Sequence, residues 1–251
     1  MCDEHTEHDN EDGFDSGRLS RRGFGVMSMA ALAACTTSPE NPATIVEREV
    51  EITTPDGGID AHYAAPPSGK HPAVLVWPDI MGLRPAFRLM GKRLAESGYA
   101  VLTVNPFYRM AKGQVFDATT EKFSDPPVRQ RLVALMGPTT SNPDNTKKDA
   151  IAAVAWLDKQ KEVDTSKGIG TTGYCMGGPL VMRTMAFVPN RVTAGGSFHG
   201  GGLATAAPTS PVLLVPQMKA KAVLIAVAQN DDKQDTTVKE KVKAAFDAQK
   251  I

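Results

Sequence analysis

The 251-residue chain has 41% hydrophobic and 22% charged residues, the proportions of an ordinary globular protein that can bury one sizeable core. Its 28 basic residues offset 28 acidic ones, so the net charge points to no nucleic acid and no anionic surface as partner. Cys2, Cys35 and Cys175 lack the spacing of a zinc site or a redox pair, which argues against a disulfide framework and gives no metal site.

Residues 1–44 read as a targeting segment and tether. A polar, acidic stretch to Gly17 gives way to Arg18-Leu19-Ser20-Arg21-Arg22, followed by the mildly apolar run from Gly25 to Ala34. Paired arginines before such a run resemble a twin-arginine export signal, and the run is too short to cross a membrane. Leu32-Ala33-Ala34-Cys35 resembles a lipobox, which implies lipidation of Cys35 and an exported, periplasmic or membrane-anchored lipoprotein. A leader cleaved without lipid, or an N-terminus without order, is the plainer alternative. Thr36 to Thr44 then serves as a tether.

From residue 45 to 251 the pattern is that of one domain without internal repeats. Val46, Val50 and Ile52 alternate with charged residues, and Thr54-Pro55-Asp56-Gly57-Gly58 turns the chain into Ile59–Ala65, an antiparallel edge hairpin. Ala73–Trp77 and Ala100–Val104 are continuous apolar runs, hence strands buried on both faces. Phe87, Met90 and Leu94 lie at helical spacing between them, stopping at Gly98, so the three elements form a parallel crossover. Residues 105–143 read as a long excursion with helix around Val128–Met136, of the kind that shapes a substrate site. A helix over Asp144–Lys159 feeds the next strand. Arg191–Phe198 and Ala222–Ala228 read as further strands, and Lys233–Lys250 as one closing amphipathic helix.

Between these, Gly173-Tyr174-Cys175-Met176-Gly177-Gly178 joins a strand to the helical pattern Pro179–Ala186. The form G-x-C-x-G is that of a nucleophile elbow with sulfur in place of hydroxyl: small residues on either side let strand and helix approach, and the turn lifts the side chain above the sheet. The thiolate is the reactive form, and the helix N-terminus adds positive potential that lowers the thiol pKa. The bland alternative is a buried cysteine acting as a small hydrophobe.

Five stretches together resemble the dienelactone hydrolase family, a branch of the α/β-hydrolases with a cysteine nucleophile. They are Val76–Leu83, Val104–Arg109, Gly173–Gly178, Ser197–Gly201 and Ala228–Asp232, in an order and spacing specific to it. The resemblance implies an α/β-hydrolase fold, a mostly parallel doubly wound sheet with the antiparallel hairpin at its N-terminal edge, and hydrolysis of small lactones or carboxylic esters without a cofactor. It implies Cys175 as nucleophile and Asp231 as the acid that orients a catalytic histidine. Asp79 falls where the family has a glutamate that holds the resting thiol. The backbone N–H groups of Ile80 and Met176 match the oxyanion hole, and Arg109 matches an arginine that binds a substrate carboxylate.

Other readings stand beside these. Asp79 and Asp231 follow strands, where acids also cap helices, and Arg109 sits in a loop where a solvated side chain is ordinary. His199 lies at the carboxyl edge of its strand and so lines the pocket, as wall or as base. α/β-Hydrolases place the catalytic histidine after the acid, and no histidine follows His199, so the domain is expected to lack its last strand and helix. Two functions therefore remain: a lactone or ester hydrolase, or an inactive truncated homologue that binds a small carboxylate or a protein partner in the envelope. Neither the substrate nor the oligomeric state is legible.

Overall fold

The computed structural model describes residues 44–251. The expected export signal and tether, with Arg21, Arg22 and Cys35, lie outside these residues. In chain order the elements are β1 (Val46–Thr54), β2 (Gly57–Ala65), β3 (Ala73–Trp77), α1 (Pro85–Glu96), β4 (Ala100–Val104), α2 (Pro126–Ser141) and α3 (Pro143–Leu157). There follow β5 (Ile169–Tyr174), α4 (Gly177–Phe187), β6 (Val192–Phe198), a 3₁₀ turn (Pro211–Gln217), β7 (Ala222–Ala226), α5 (Gln229–Gln234) and α6 (Val238–Ala248).

The strands form one sheet in the order β1-β2-β4-β3-β5-β6-β7. β1 and β2 are an antiparallel hairpin, with Thr54 opposite Gly57, and β2 joins β4 antiparallel. All later pairs are parallel, because crossover connections, helical except for the 3₁₀ turn before β7, return the chain to the same end of the sheet each time. Ala222, Leu224 and Ala226 of β7 are exposed, whereas over β2, β3 and β4 both faces are covered. On one, Tyr63, Leu75, Trp77 and Leu102 pack with Leu157 and Leu180; on the other, Ala64, Val76 and Val101 pack with Phe87 and Ala95 of α1. This is why β3 and β4 read as unbroken apolar runs.

The long excursion holds more helix than its sequence advertises. α2 is 16 residues long and includes Pro138. Pro126 and Pro127 sit in its first turn, where missing N–H groups cost nothing, and the hydroxyls of Thr139 and Thr140 donate back to the carbonyls of Leu135 and Met136 at 3.0 Å each. Asn142 then caps α3 by accepting from the Asp144 N–H. The expected single closing helix is two helices. Asp235 leaves helical geometry at φ −145°, and its carboxylate accepts from the Thr237 N–H at 2.9 Å, which stops α5 and starts α6.

Candidate active site

Three parallel strands end side by side, and their last residues set the site. Trp77 pairs with Gly173, and Tyr174 with Phe198. The next residues on each strand are therefore neighbours: the Pro78–Arg84 loop, Cys175 and His199. Topology has gathered them from three distant parts of the chain.

Cys175 occupies the left-handed region at φ 52°, a conformation a non-glycine residue keeps only when its surroundings hold it. Its N–H donates to the Phe198 carbonyl at 2.9 Å, and its own carbonyl accepts from the Gly178 N–H at 3.0 Å. The flanking glycines are required by space. A Cβ on Gly173 would lie 2.4 Å from the Gly177 carbonyl oxygen, and one on Gly177 would lie 2.4 Å from the Trp77 carbonyl oxygen. Without side chains at both, strand, turn and helix close on one another and turn the thiol outward.

The thiol borders a cavity of 360 Å³ between the elbow and α2, lined by Cys175, Met176, Pro179 and Arg183 on one side and Met136 and Thr140 on the other. That volume suits a small molecule. A cavity of 400 Å³ against β7 and α6, walled by Val223, Ile225 and Phe246, has no cysteine, serine or histidine in its lining.

The thiol pKa runs opposite to the expectation from the helix N-terminus. Burial pushes it up, the Asp79 and Asp231 carboxylates add to the rise, and the Met176 N–H opposes them by bonding to sulfur. A resting thiol is thus the dominant form at neutral pH. The rate of Cys175 alkylation by iodoacetamide should climb about tenfold per pH unit from 7 through the ordinary thiol range near 8.5, without a plateau below it. A plateau at or below pH 7, seen in the pH profile of the rate, would mean a preformed thiolate.

Asp79 has other partners than the thiol. Its carboxylate is forked by Arg84 at 2.6 and 2.8 Å and accepts from the Met81 N–H at 2.9 Å. The Gly82 N–H also donates to its carbonyl at 2.9 Å. The acid clamps the loop that carries Ile80. The Ile80 and Met176 side chains share one buried apolar cluster.

His199, also left-handed at φ 54°, brings its Nδ1 to 2.6 Å from Oδ2 of Asp231, which stands in the first turn of α5. The strand ladder thus places an imidazole, with a carboxylate beside it, next to the elbow. This joins two residues that the sequence assigned separately, one to the pocket wall and one to the acid.

Arg109 is not available to a substrate carboxylate. Its guanidinium is spent on Asp149 at 2.7 and 2.8 Å and on Asp56 at 2.8 and 3.0 Å, and it lies over the Tyr108 ring. The Tyr108 hydroxyl donates to the same Asp149 at 2.8 Å. This cluster ties the loop after β4 to the hairpin turn and α3. Sequence reasoning missed Arg183, whose signal is a lone charge in the otherwise apolar elbow helix; it is 4% exposed and borders the cavity.

Residues 59–251 match the dienelactone hydrolase family. A Methylorubrum extorquens protein named "Putative carboxymethylenebutenolidase" is 30% identical over 80% of this chain and 69% of its own length. The carboxymethylenebutenolidase of Pseudomonas sp. strain P51 is 29% identical, over 52% of this chain and 51% of its own. Among solved structures, a dienelactone hydrolase-like promiscuous phosphotriesterase, P91, from metagenomic libraries superposes with a TM-score of 0.64 at 25% identity, covering 82% of this chain and 78% of its own. The family match spans most of the described residues, and the chain belongs to the dienelactone hydrolase family.

Proposed function

We propose that this chain hydrolyses small lactones or carboxylic esters through an acyl-thioester on Cys175. The observation that carries this reading is Cys175 held in the left-handed elbow at the mouth of a small-molecule cavity. In the first half-reaction the Cys175 proton passes to His199 as sulfur attacks the carbonyl carbon. The tetrahedral oxyanion gathers on the N–H groups of Ile80 and Met176. Collapse breaks the ester C–O bond, and the imidazolium returns its proton to the leaving alkoxide. Water then attacks the thioester with His199 as base, releasing the acid and restoring the thiol. Asp231, 2.6 Å from His199 Nδ1, stabilises the imidazolium in both halves. The raised thiol pKa fits this order of events, since it keeps the nucleophile protonated until a base removes the proton.

Acid-quenched reactions with p-nitrophenyl acetate test the scheme by mass spectrometry. Wild type should carry a transient acyl group on the Cys175 peptide, and His199→Ala should acylate slowly and then retain the group, with turnover down about 10²- to 10⁴-fold. No adduct on Cys175 in either protein would favour the binding-only homologue.

We further propose that the domain works outside the cytoplasm as a lipid-anchored protein, a reading supported by Arg21-Arg22 and the Leu32–Cys35 run. Arg21→Lys/Arg22→Lys should stay in the cytoplasm, and Cys35→Ala should leave the membrane fraction. Identical fractionation of all three proteins would refute it.

A further inference from the structure

The sheet has two edges, and the sequence treats them differently. β1, at one edge, turns Glu47, Glu49 and Glu51 to solvent in alternation. Charges along an edge strand keep a further strand from pairing with it. β7, at the other edge, is Ala222-Val223-Leu224-Ile225-Ala226, with neither a charge nor a proline. Among the described residues its backbone bonds run to β6 and to the His199 N–H, all on the β6 side. Ala222, Leu224 and Ala226 are exposed, Leu224 by 56%. An apolar edge of this kind is a template for one more strand.

The strand itself says which one fits. Paired antiparallel with a second copy about Leu224, it meets its own sequence reversed: Leu224 faces Leu224, Val223 faces Ile225 and Ala222 faces Ala226. Every facing pair then matches in size, leucine with leucine on the axis, β-branched with β-branched beside it and alanine with alanine at the ends. A partner of unrelated sequence would have to reproduce these matches by chance. The flanks agree as well. Lys219 and Lys221 precede the strand and Asp231 and Asp232 follow it, so the same register sets the basic end of one strand beside the acidic end of the other.

A pair of five-residue strands is small against the ~800 Å² per partner of a stable interface, so more than the strand has to be covered. The 400 Å³ cleft between β7 and α6 supplies it. Val223 and Ile225 line that cleft with Val242 and Phe246, and the facing Ile225 and Val223 of the second copy fall on the same side of the joined sheet, where they close it.

We propose that β7 is a homodimer surface, on which a second copy of this chain pairs antiparallel about a two-fold axis through Leu224 and joins two seven-stranded sheets into one. Such a contact uses the same patch on both copies and closes on itself, so assembly stops at two. The glutamate-bearing β1 strands form the outer ends of the joined sheet. The surface does not depend on the hydrolase reading.

Sedimentation of the full chain is the first test. At micromolar concentration wild type should have about twice the mass of one chain, and Leu224→Lys the mass of one, because two ammonium groups then meet on the axis. Cross-linking in a Cys2→Ala/Cys35→Ala background reads the register. Residues facing each other across an antiparallel pair have Cα atoms ~4.5–5.5 Å apart, within disulfide reach. Leu224→Cys should therefore link to itself under mild oxidation, with the 224–224 peptide identified by mass spectrometry. Ala222→Cys mixed with Ala226→Cys should link at least tenfold faster than either does with itself. If Leu224→Lys does not fold, the cross-links and the wild-type mass decide. A single-chain mass for wild type, a dimer that gives no 224–224 link, or Ala222→Cys linking to itself as fast as to Ala226→Cys overturns the surface.

Discussion

Cys175→Ala should lower kcat/KM for activated esters by about 10³- to 10⁴-fold, while the far-ultraviolet spectrum and unfolding temperature stay near those of wild type. The size follows from what the substitution removes. No acyl-enzyme forms, so the remaining catalysis is what the Ile80 and Met176 N–H groups and the cavity give to direct attack by water. The fold should tolerate the change, because the elbow is held by backbone bonds of Cys175 and by the close approach of Gly173 and Gly177, none of which involves sulfur. Cys175→Ser is the more informative partner. A hydroxyl has a far higher pKa than a thiol, so a serine here should show slow acylation even with His199 intact. Activity in Cys175→Ala within tenfold of wild type would overturn the covalent mechanism.

Arg109→Met should destabilise the domain by about 3 kcal/mol or more, because it strands the Asp149 carboxylate, whose side chain is 6% exposed, with only the Tyr108 hydroxyl to solvate it. For a domain of this size that is a fall of roughly 6 °C or more in Tm. Asp149 already shows the strain: burial raises its pKa even with Arg109 and Tyr108 pulling it down. Arg109→Met/Asp149→Leu should recover much of the loss, since it replaces a stranded charge with apolar contact. Calorimetry on the two single variants and the double variant closes the cycle. Among folded molecules, turnover of anionic and neutral esters should fall in parallel in Arg109→Met. A selective loss of the anionic ester would return Arg109 to the substrate site.

The pair Arg109 and Arg183 shows where the sequence was legible and where it was not. β3 and β4 were readable as apolar runs because the sheet is covered on both faces there, and β1 as alternation because it is an edge strand with one face in solvent. The elbow was readable from its glycine spacing: Gly173 closes on the Gly177 carbonyl four residues on, while the Trp77 carbonyl that needs Gly177 bare arrives only through folding. Arg109 and Asp79 were placed by likeness to a family, and likeness gives a position without the partners that decide its use. Arg84 for Asp79, and Asp56 and Asp149 for Arg109, reach those side chains only through folding. The His199–Asp231 contact joins residues 32 positions apart in the chain by the pairing of β6 with β7. The helix dipole was a sound local argument for the Cys175 thiol, and burial outweighed it. Pro138 and Asp235 misled in opposite directions, because threonine hydroxyls sustain one helix and an aspartate carboxylate ends another.

Trp77 gives the elbow a built-in optical reporter. The chain has two tryptophans. Trp77 is 1% exposed, donates its indole N–H to the Thr184 hydroxyl of α4 at 3.1 Å, and offers its carbonyl to the space that Gly177 leaves open. Trp156 stands apart, edge-on to Tyr63 with ring centres 5.2 Å apart. In a Trp156→Phe background the remaining fluorescence comes from an indole bonded to the helix that Cys175 initiates. Any shift of that helix as an acyl group arrives or departs changes the polarity and hydrogen bonding of the fluorophore. Stopped-flow emission could then follow both half-reactions with substrates that release no coloured product, including natural lactones.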